Sequence, residues 1–131
     1  METPERREQA CQRVKDALKE RRQVVLVVSA MGRKGQPYAT DTLINLARGV
    51  HGDAPAREMD LLISCGEIIS AVLMVQELQK RGIDALALTG GQAGIITDAA
   101  FGEAKIITVE PGRILRHLDE GKVVVVAGFQ G

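Results

Sequence analysis

The sequence predicts an α/β domain built on a mostly parallel sheet with helices on both faces. Two short, strongly apolar runs, 24–28 and Val123–Ala127, read as strands. Their unbroken β-branched and aliphatic character is what a strand buried on both faces needs. Helical segments alternate with strands in the order α-β-α-α-β-β-β-α-β, the pattern of a sheet covered by helices. Glycine-containing loops directly follow two strands, at 29–37 and 89–94. Open α/β sheets place ligands at such strand ends.

The elements follow in chain order. Thr3-Pro4-Glu5 opens a helix: a capping hydroxyl, a proline in the first turn, an acid suited to the N-terminus. Ala10, Val14, Ala17 and Leu18 continue it at helical spacing, and Lys19, Arg21 and Arg22 sit at its cationic end. The 24–28 strand comes next. Leu43, Ile44, Leu46 and Ala47 mark a short helix that Gly49 is placed to end. A loop at 51–55 precedes a helical pattern from Ala56 to Arg81, where Gly66 suggests a break or kink. Ile68, Val72, Val75 and Leu78 then form an apolar stripe that Gly82 closes. Residues 83–88 read as a strand, Ile95–Thr97 and Ile106–Val109 as two shorter ones around a turn at 99–102. Pro111 opens a helix through Leu118, Gly121 ends it, and Val123–Ala127 is the last strand.

The 131 residues are one domain's length, with no repeat, low-complexity tract or internal boundary. Lys plus Arg equals Asp plus Glu at 17 each, so no net charge draws a polyanion. Tyr38, Phe101 and Phe129 are the only aromatics, too few for base stacking. Neither nucleic acid nor membrane is expected as a partner, since no apolar run looks long enough to span a bilayer. Cys11 and Cys65 have no metal-ligand spacing and read as reduced thiols. The start, METPERREQ, is no secretory leader, so the expected compartment is the cytoplasm. No metal site is expected. The chain opens on a helix and closes just past a buried strand, leaving strand edges without neighbours. The expectation is a piece of a larger α/β domain.

Several residues have readings that need no ligand. Ser29 is a solvated strand-end serine; Thr40 caps the helix that follows; Glu67 is an acid in the first turn after the break at Gly66. Gly90, Gly91 and Gly94 supply turns with positive φ. Asp98 is a turn residue, Lys105 a strand-edge cation, Arg33 and Lys34 a solvated loop, and His51 and His117 surface residues.

Four blocks add a second reading. SAMGRKGQPYATD (29–41), REMDLLISCGE (57–67), LTGGQAGIITD (88–98) and VVVVAGFQG (123–131) resemble, in order and spacing, consecutive blocks of the aspartate kinase family. This family lies within the amino-acid kinase superfamily. The RKGQPYATD form of the first block is similar to the diaminopimelate-sensitive Gram-positive type. The resemblance implies a three-layer α/β/α, carbamate-kinase-like fold. It implies transfer of a phosphoryl group from ATP, with Mg2+, to the side-chain carboxylate of L-aspartate. The product is 4-phospho-L-aspartate, on the route to lysine, threonine and methionine. It makes Ser29 the catalytic hydroxyl near the reacting groups. Thr40 becomes an aspartate-binding hydroxyl and Glu67 the carboxylate that pairs with the substrate ammonium. Gly90 and Gly91 become close-approach backbone around the bound amino acid. The three side chains are expected to converge on one hollow.

The departures are equally specific. The family opens with a strand ending in Lys-Phe-Gly-Gly, whose lysine helps bind phosphate; this chain has Met-Glu-Thr-Pro. The later Gly-Arg-Gly-Gly-Ser-Asp loop, the nucleotide half and the ACT domains do not occur in it, and Gly91 stands where a bulky residue is frequent. Residues 1–131 are therefore expected to be the aspartate-binding part of the kinase domain. No nucleotide-binding residue is assigned, and no activity is expected from the chain alone. A rival reading is a non-catalytic module that associates with itself or with a complementary fragment, motivated by unpaired strands such as Val123–Ala127. A relative acting on another carboxylate or on carbamate fits the 29–41 block poorly.

Overall fold

The computed structural model describes residues 3–129. Gln130 and Gly131, which end the fourth sequence block, lie outside them, as do Met1 and Glu2. The elements are α1 (Pro4–Lys19), β1 (Val25–Val28), α2 (Thr40–Val50), α3 (Ala56–Lys80), β2 (Ala85–Leu88), β3 (Ile95–Thr97), β4 (Ile106–Val109), α4 (Gly112–Asp119) and β5 (Val123–Ala127). This is the expected order.

β1, β5 and β2 form a parallel sheet in that spatial order, with Val25 opposite Val124 and Ala85 opposite Val123. β5 is the centre of the sheet, not an unpaired strand; the open edges belong to β1 and β2. All five of its residues are buried. Each valine fully removed from water contributes about 1.5–3 kcal/mol, so this strand anchors the fold.

Alternate residues point to opposite faces of a sheet. Val123, Val125 and Ala127 join Cys11, Val14, Ala71, Met74, Val75 and Leu78 in a core under α1 and α3. Val124 and Val126 join Leu88, Ala93 and Leu118 under α4. Helices therefore lie on both faces of the sheet, giving three layers. The cover is unequal, however: Val25 and Val27 of β1 are 43% and 66% exposed. The expectation of a fully buried first strand fails here because, among the described residues, β1 has one neighbouring strand and no helix over that face.

Other expectations are corrected too. α3 runs unbroken from Ala56 to Lys80 through Gly66. The glycine is there for contact: a Cβ on it would meet the Ala30 Cβ at 3.0 Å and the Tyr38 carbonyl oxygen at 3.4 Å. The buried stripe of α3 shifts accordingly to Glu67, Ser70, Ala71, Met74, Val75 and Leu78, leaving Val72 46% exposed. By length and composition α3 is also apolar enough to cross a membrane, contrary to the reading from sequence. Its buried face is occupied by the sheet, as in a core helix. Finally, α2 passes through Gly49 to Val50, and its N-cap is Ala39 rather than Thr40.

β3 and β4 pair as a separate antiparallel hairpin. Its base is closed where the Glu110 N–H donates to the Gly94 carbonyl at 2.8 Å, and it is tied to α3 where the Gly102 N–H donates to Asp60 Oδ2 at 2.6 Å. At Gly94 (φ 85°) any side chain would overlap the Glu110 carbonyl oxygen, so this position requires glycine.

Candidate functional site

Because the three sheet strands are parallel, the segments leaving their carboxyl ends emerge together. These are the 29–39 loop after β1, the 89–94 loop after β2, and Gly128-Phe129 after β5. The Gly128 N–H donates to the Val28 carbonyl at 2.8 Å, joining two of these exits.

Glu67 reaches this junction from α3. A Cβ placed on Gly128 would lie 2.9 Å from the Val28 oxygen and 3.8 Å from Glu67 Cγ. Glycine at 128 thus lets the β1 end and the Glu67 side chain close on each other. Glu67 is only 6% exposed, and its Oε2 is buried with no hydrogen-bond partner among the described residues. A buried polar group left this way costs about 1–3 kcal/mol, more if charged. Such a cost is tolerable where a cation is meant to be received.

Ser29 is exposed and follows Val28 directly, so it flanks the same junction. Thr40 is the first residue of α2 and half-buried. Its approach to Glu67 is through its neighbours: the Tyr38 oxygen and Leu43 Cδ1 would both lie within 4 Å of a Cβ on Gly66. The long loop between Ser29 and Thr40 is shaped by Gln36. Its Oε1 accepts from the Arg33 N–H at 2.8 Å, and its carbonyl accepts from the Ala39 N–H at 3.2 Å. Gly32 and Gly35 take positive φ of 106° and 93°, the left-handed backbone that suits glycine.

The 89–94 loop closes on itself. The Thr89 N–H donates to Gln92 Oε1 at 3.0 Å, and the Gln92 N–H donates to Thr89 Oγ1 at 3.2 Å. Gly90 is buried and Gly91 exposed. Neither has positive φ; in this loop only Gly94 does, at 85°. The turn explanation therefore holds for Gly94 and fails for the other two. Asp98 is a turn residue as expected, its Oδ1 accepting from the Ala100 and Lys105 N–H groups at 3.1 and 3.2 Å.

Two hollows open at this end. One, of about 350 Å³, lies between Val27 and Val126 of the sheet and Ile95 and Ile106 of the hairpin, with Asp60 and Glu103 on its wall. The other, of about 320 Å³, is lined by Arg57, Ser64, Gly91 and Phe101 among others. Of the five residues singled out from sequence, only Gly91 lines either. Glu67 and Ser29 flank the end of β1 and Thr40 opens α2; none of the three lines either of these two hollows. Among the described residues no three His, Cys, Asp or Glu side chains cluster to hold a metal ion.

Two residues near Glu67 were not singled out from the sequence. Gly128 was visible only as part of a block, and its role needs the β1–β5 pairing. Ser70, 1% exposed with its Oγ unpartnered among the described residues, was passed over; its one signal was a spacing of three residues from Glu67 on a helix.

The model of the amino acid kinase family matches residues 1–131. The chain belongs to that family. Its curated relatives in the family include Aspartokinase 1 of Bacillus subtilis (strain 168), 51% identical over 118 residues, covering 90% of this chain and 29% of the relative. Another is the Aspartokinase of Mycolicibacterium smegmatis, 46% identical over 127 residues, covering 97% of this chain and 29% of the relative. Among solved structures, the crystal structure of aspartate kinase from Synechocystis is similar with a TM-score of 0.75 and 41% identity. That likeness covers 96% of this chain and 19% of the other. The chain thus spans about 29% of the length of these two curated relatives.

Proposed function

We propose that these residues supply the aspartate-binding side of an aspartokinase catalytic domain, which phosphorylates the side-chain carboxylate of L-aspartate from ATP. The observation that carries this reading is the buried Glu67 carboxylate at the exits of β1 and β5, its Oε2 unpartnered among the described residues. It occurs in a chain 51% identical to an aspartokinase over 118 residues. Glu67 takes the substrate ammonium; charge-assisted pairing of this kind is about twice as strong as a neutral hydrogen bond. Thr40 offers its hydroxyl to the amino acid, and the backbone at Gly90 and Gly91 forms one wall. Ser29, exposed at the end of β1, sits beside the reacting carboxylate. There a fixed hydroxyl serves positioning and charge stabilisation, the main components of phosphoryl-transfer catalysis. Magnesium bound to the ATP phosphates would neutralise the developing charge; its protein ligands, and the nucleotide site, belong to polypeptide beyond this stretch. The setting is cytoplasmic biosynthesis of lysine, threonine and methionine.

Because about 29% of the relatives' length is represented, the chain by itself is expected to be inactive. A coupled assay with ATP, magnesium and aspartate checks this, and turnover comparable with a full-length aspartokinase would refute it. Calorimetric titration tests the pocket: aspartate should bind more tightly than glutamate or N-acetylglutamate, and Glu67→Gln should weaken aspartate binding and remove its advantage over N-acetylglutamate, which has no ammonium group. Equal binding of all three ligands would remove the aspartate assignment.

A second reading, association through the sheet with a like or complementary polypeptide, is favoured by the open edge of β1, where Val25 and Val27 stand exposed.

A further inference from the structure

We propose that Ser70 is a positioning residue for Glu67, its hydroxyl holding one carboxylate oxygen so that the other faces the strand ends. The inference rests on the reading of Glu67 as the ammonium acceptor.

The buried face of α3 is otherwise Gly66, Ala71, Met74, Val75 and Leu78, a stripe in which serine and glutamate are costly. Glu67 and Ser70 are 6% and 1% exposed. Glu67 Oε2 and Ser70 Oγ both lack a hydrogen-bond partner among the described residues. Residues three apart on a helix are neighbours on its surface, and helical side chains lean toward the N-terminus. Ser70 therefore leans toward the turn that carries Glu67. A buried helical serine has a local alternative, bonding back to a carbonyl one turn earlier. Ser64, on the same helix, does this, donating to the Leu61 oxygen at 2.7 Å. Ser70 does not. A hydroxyl has one proton to give and an ionised carboxylate only accepts, so the two unpartnered groups are complementary. In the present rotamers they are not bonded; the proposed bond needs a rotation of one of the two side chains. The effect is to fix a three-torsion side chain that would otherwise sample several positions when a cation arrives.

The test uses the 131-residue chain with its glutamate carboxyl carbons labelled with 13C for NMR. The Glu67 resonance is assigned by its loss in Glu67→Gln. It should move in Ser70→Ala and return in Ser70→Thr, which restores the hydroxyl. Denaturation midpoints supply a second measurement. Ser70→Ala should lower the midpoint in the wild-type background and have a smaller effect in a Glu67→Met background, which lacks the acceptor. An unmoved resonance together with equal midpoint shifts in both backgrounds overturns the proposal. Should Ser70→Ala not fold, Ser70→Cys gives the same comparison, because a thiol is a weak donor of similar size. Aspartate titration separates the two levels of inference. If Glu67→Gln leaves aspartate affinity unchanged, the reading of the pocket fails while the resonance and midpoints still decide the pairing. If the pairing positions Glu67, Ser70→Ala should weaken aspartate binding about tenfold, the equivalent of about 1.4 kcal/mol.

Discussion

On one face of the sheet, Val123, Val125 and Ala127 are met by Met74, Val75 and Leu78 of α3 and by Cys11 and Val14 of α1. On the other, Val124 and Val126 are met by Leu118 and Ile114 of α4, while Val25 and Val27 stand largely exposed. The strands are the same; the helices differ. α3 has 25 residues and α1 16, whereas α4 has eight. A long helix spans the whole sheet and covers every strand it crosses. The two-turn α4 packs on β5 and stops short of β1. Stability should therefore be concentrated on the α1–α3 face.

The largest expected effect breaks that face. Met74 is fully buried, at 0% exposure. Met74→Ala should cost about 2–5 kcal/mol, the usual range for a large-to-small change in a well-packed core. Leu118, 9% exposed under the shorter helix, should cost less on truncation to alanine, about 2 kcal/mol, because a thinly covered site collapses and hydrates more readily. Urea denaturation of the two variants checks the order. Equal losses would mean that the two faces contribute alike.

Much of this was legible in advance. The β-branched runs, the glycines at helix ends such as Gly82 and Gly121 (φ 75° and 82°), and the capping Thr3, whose Oγ1 accepts from the Arg6 N–H at 3.2 Å, all act locally. Local chemistry can be read from local sequence. The errors came where the answer depended on distant partners. An unbroken valine run looks the same whether its second face is covered, as in β5, or open, as in β1. Gly66 looks like a helix breaker until Ala30 is found against it. At the site, Ser29, Thr40 and Glu67 were chosen through resemblance to a family. The closeness of Glu67 to the β1 and β5 ends, and the burial of Ser70, appear only once the fold is known.

A smaller effect sharpens the comparison at the α1–α3 seam. Glu77 of α3 pairs with Arg7 of α1 at 3.5 Å and with Arg81 one turn along. The hydrogen bond from Arg81 holds the Glu77 carboxyl below its ordinary 4.5, against the opposing effect of burial, with the charges of Arg81 and Arg7 helping. Folding thus favours the ionised form. Its contribution is present above pH 4.5 and is lost as the pH falls through the depressed folded value. Wild type should accordingly exceed Glu77→Gln in stability at neutral pH and converge on it in acid. Melting temperatures across about pH 3 to 7 would show the convergence; a constant gap would mean that the pair contributes through packing alone.

The smallest expected change in stability lies on the open side, and it bears on association. The two edges of the sheet are finished differently. At β2, Gln79 Nε2 donates to the Ala85 carbonyl at 3.2 Å, occupying a group that a further strand would need. At β1 the Val24 and Val28 carbonyls accept from the Val124 and Gly128 N–H groups, in β5 and just after it, so the alternate groups of Val25 and Val27 face outward. Exposed apolar edge strands invite pairing, and lysine is a common natural deterrent. Val27→Lys changes a 66% exposed side chain, so it should alter stability by no more than about 0.5 kcal/mol. Light scattering should nonetheless show a lower average mass than for the wild-type chain. If both chains scatter as monomers at the same concentration, the open edge does not drive self-association, and the reading of an assembly module loses its structural basis.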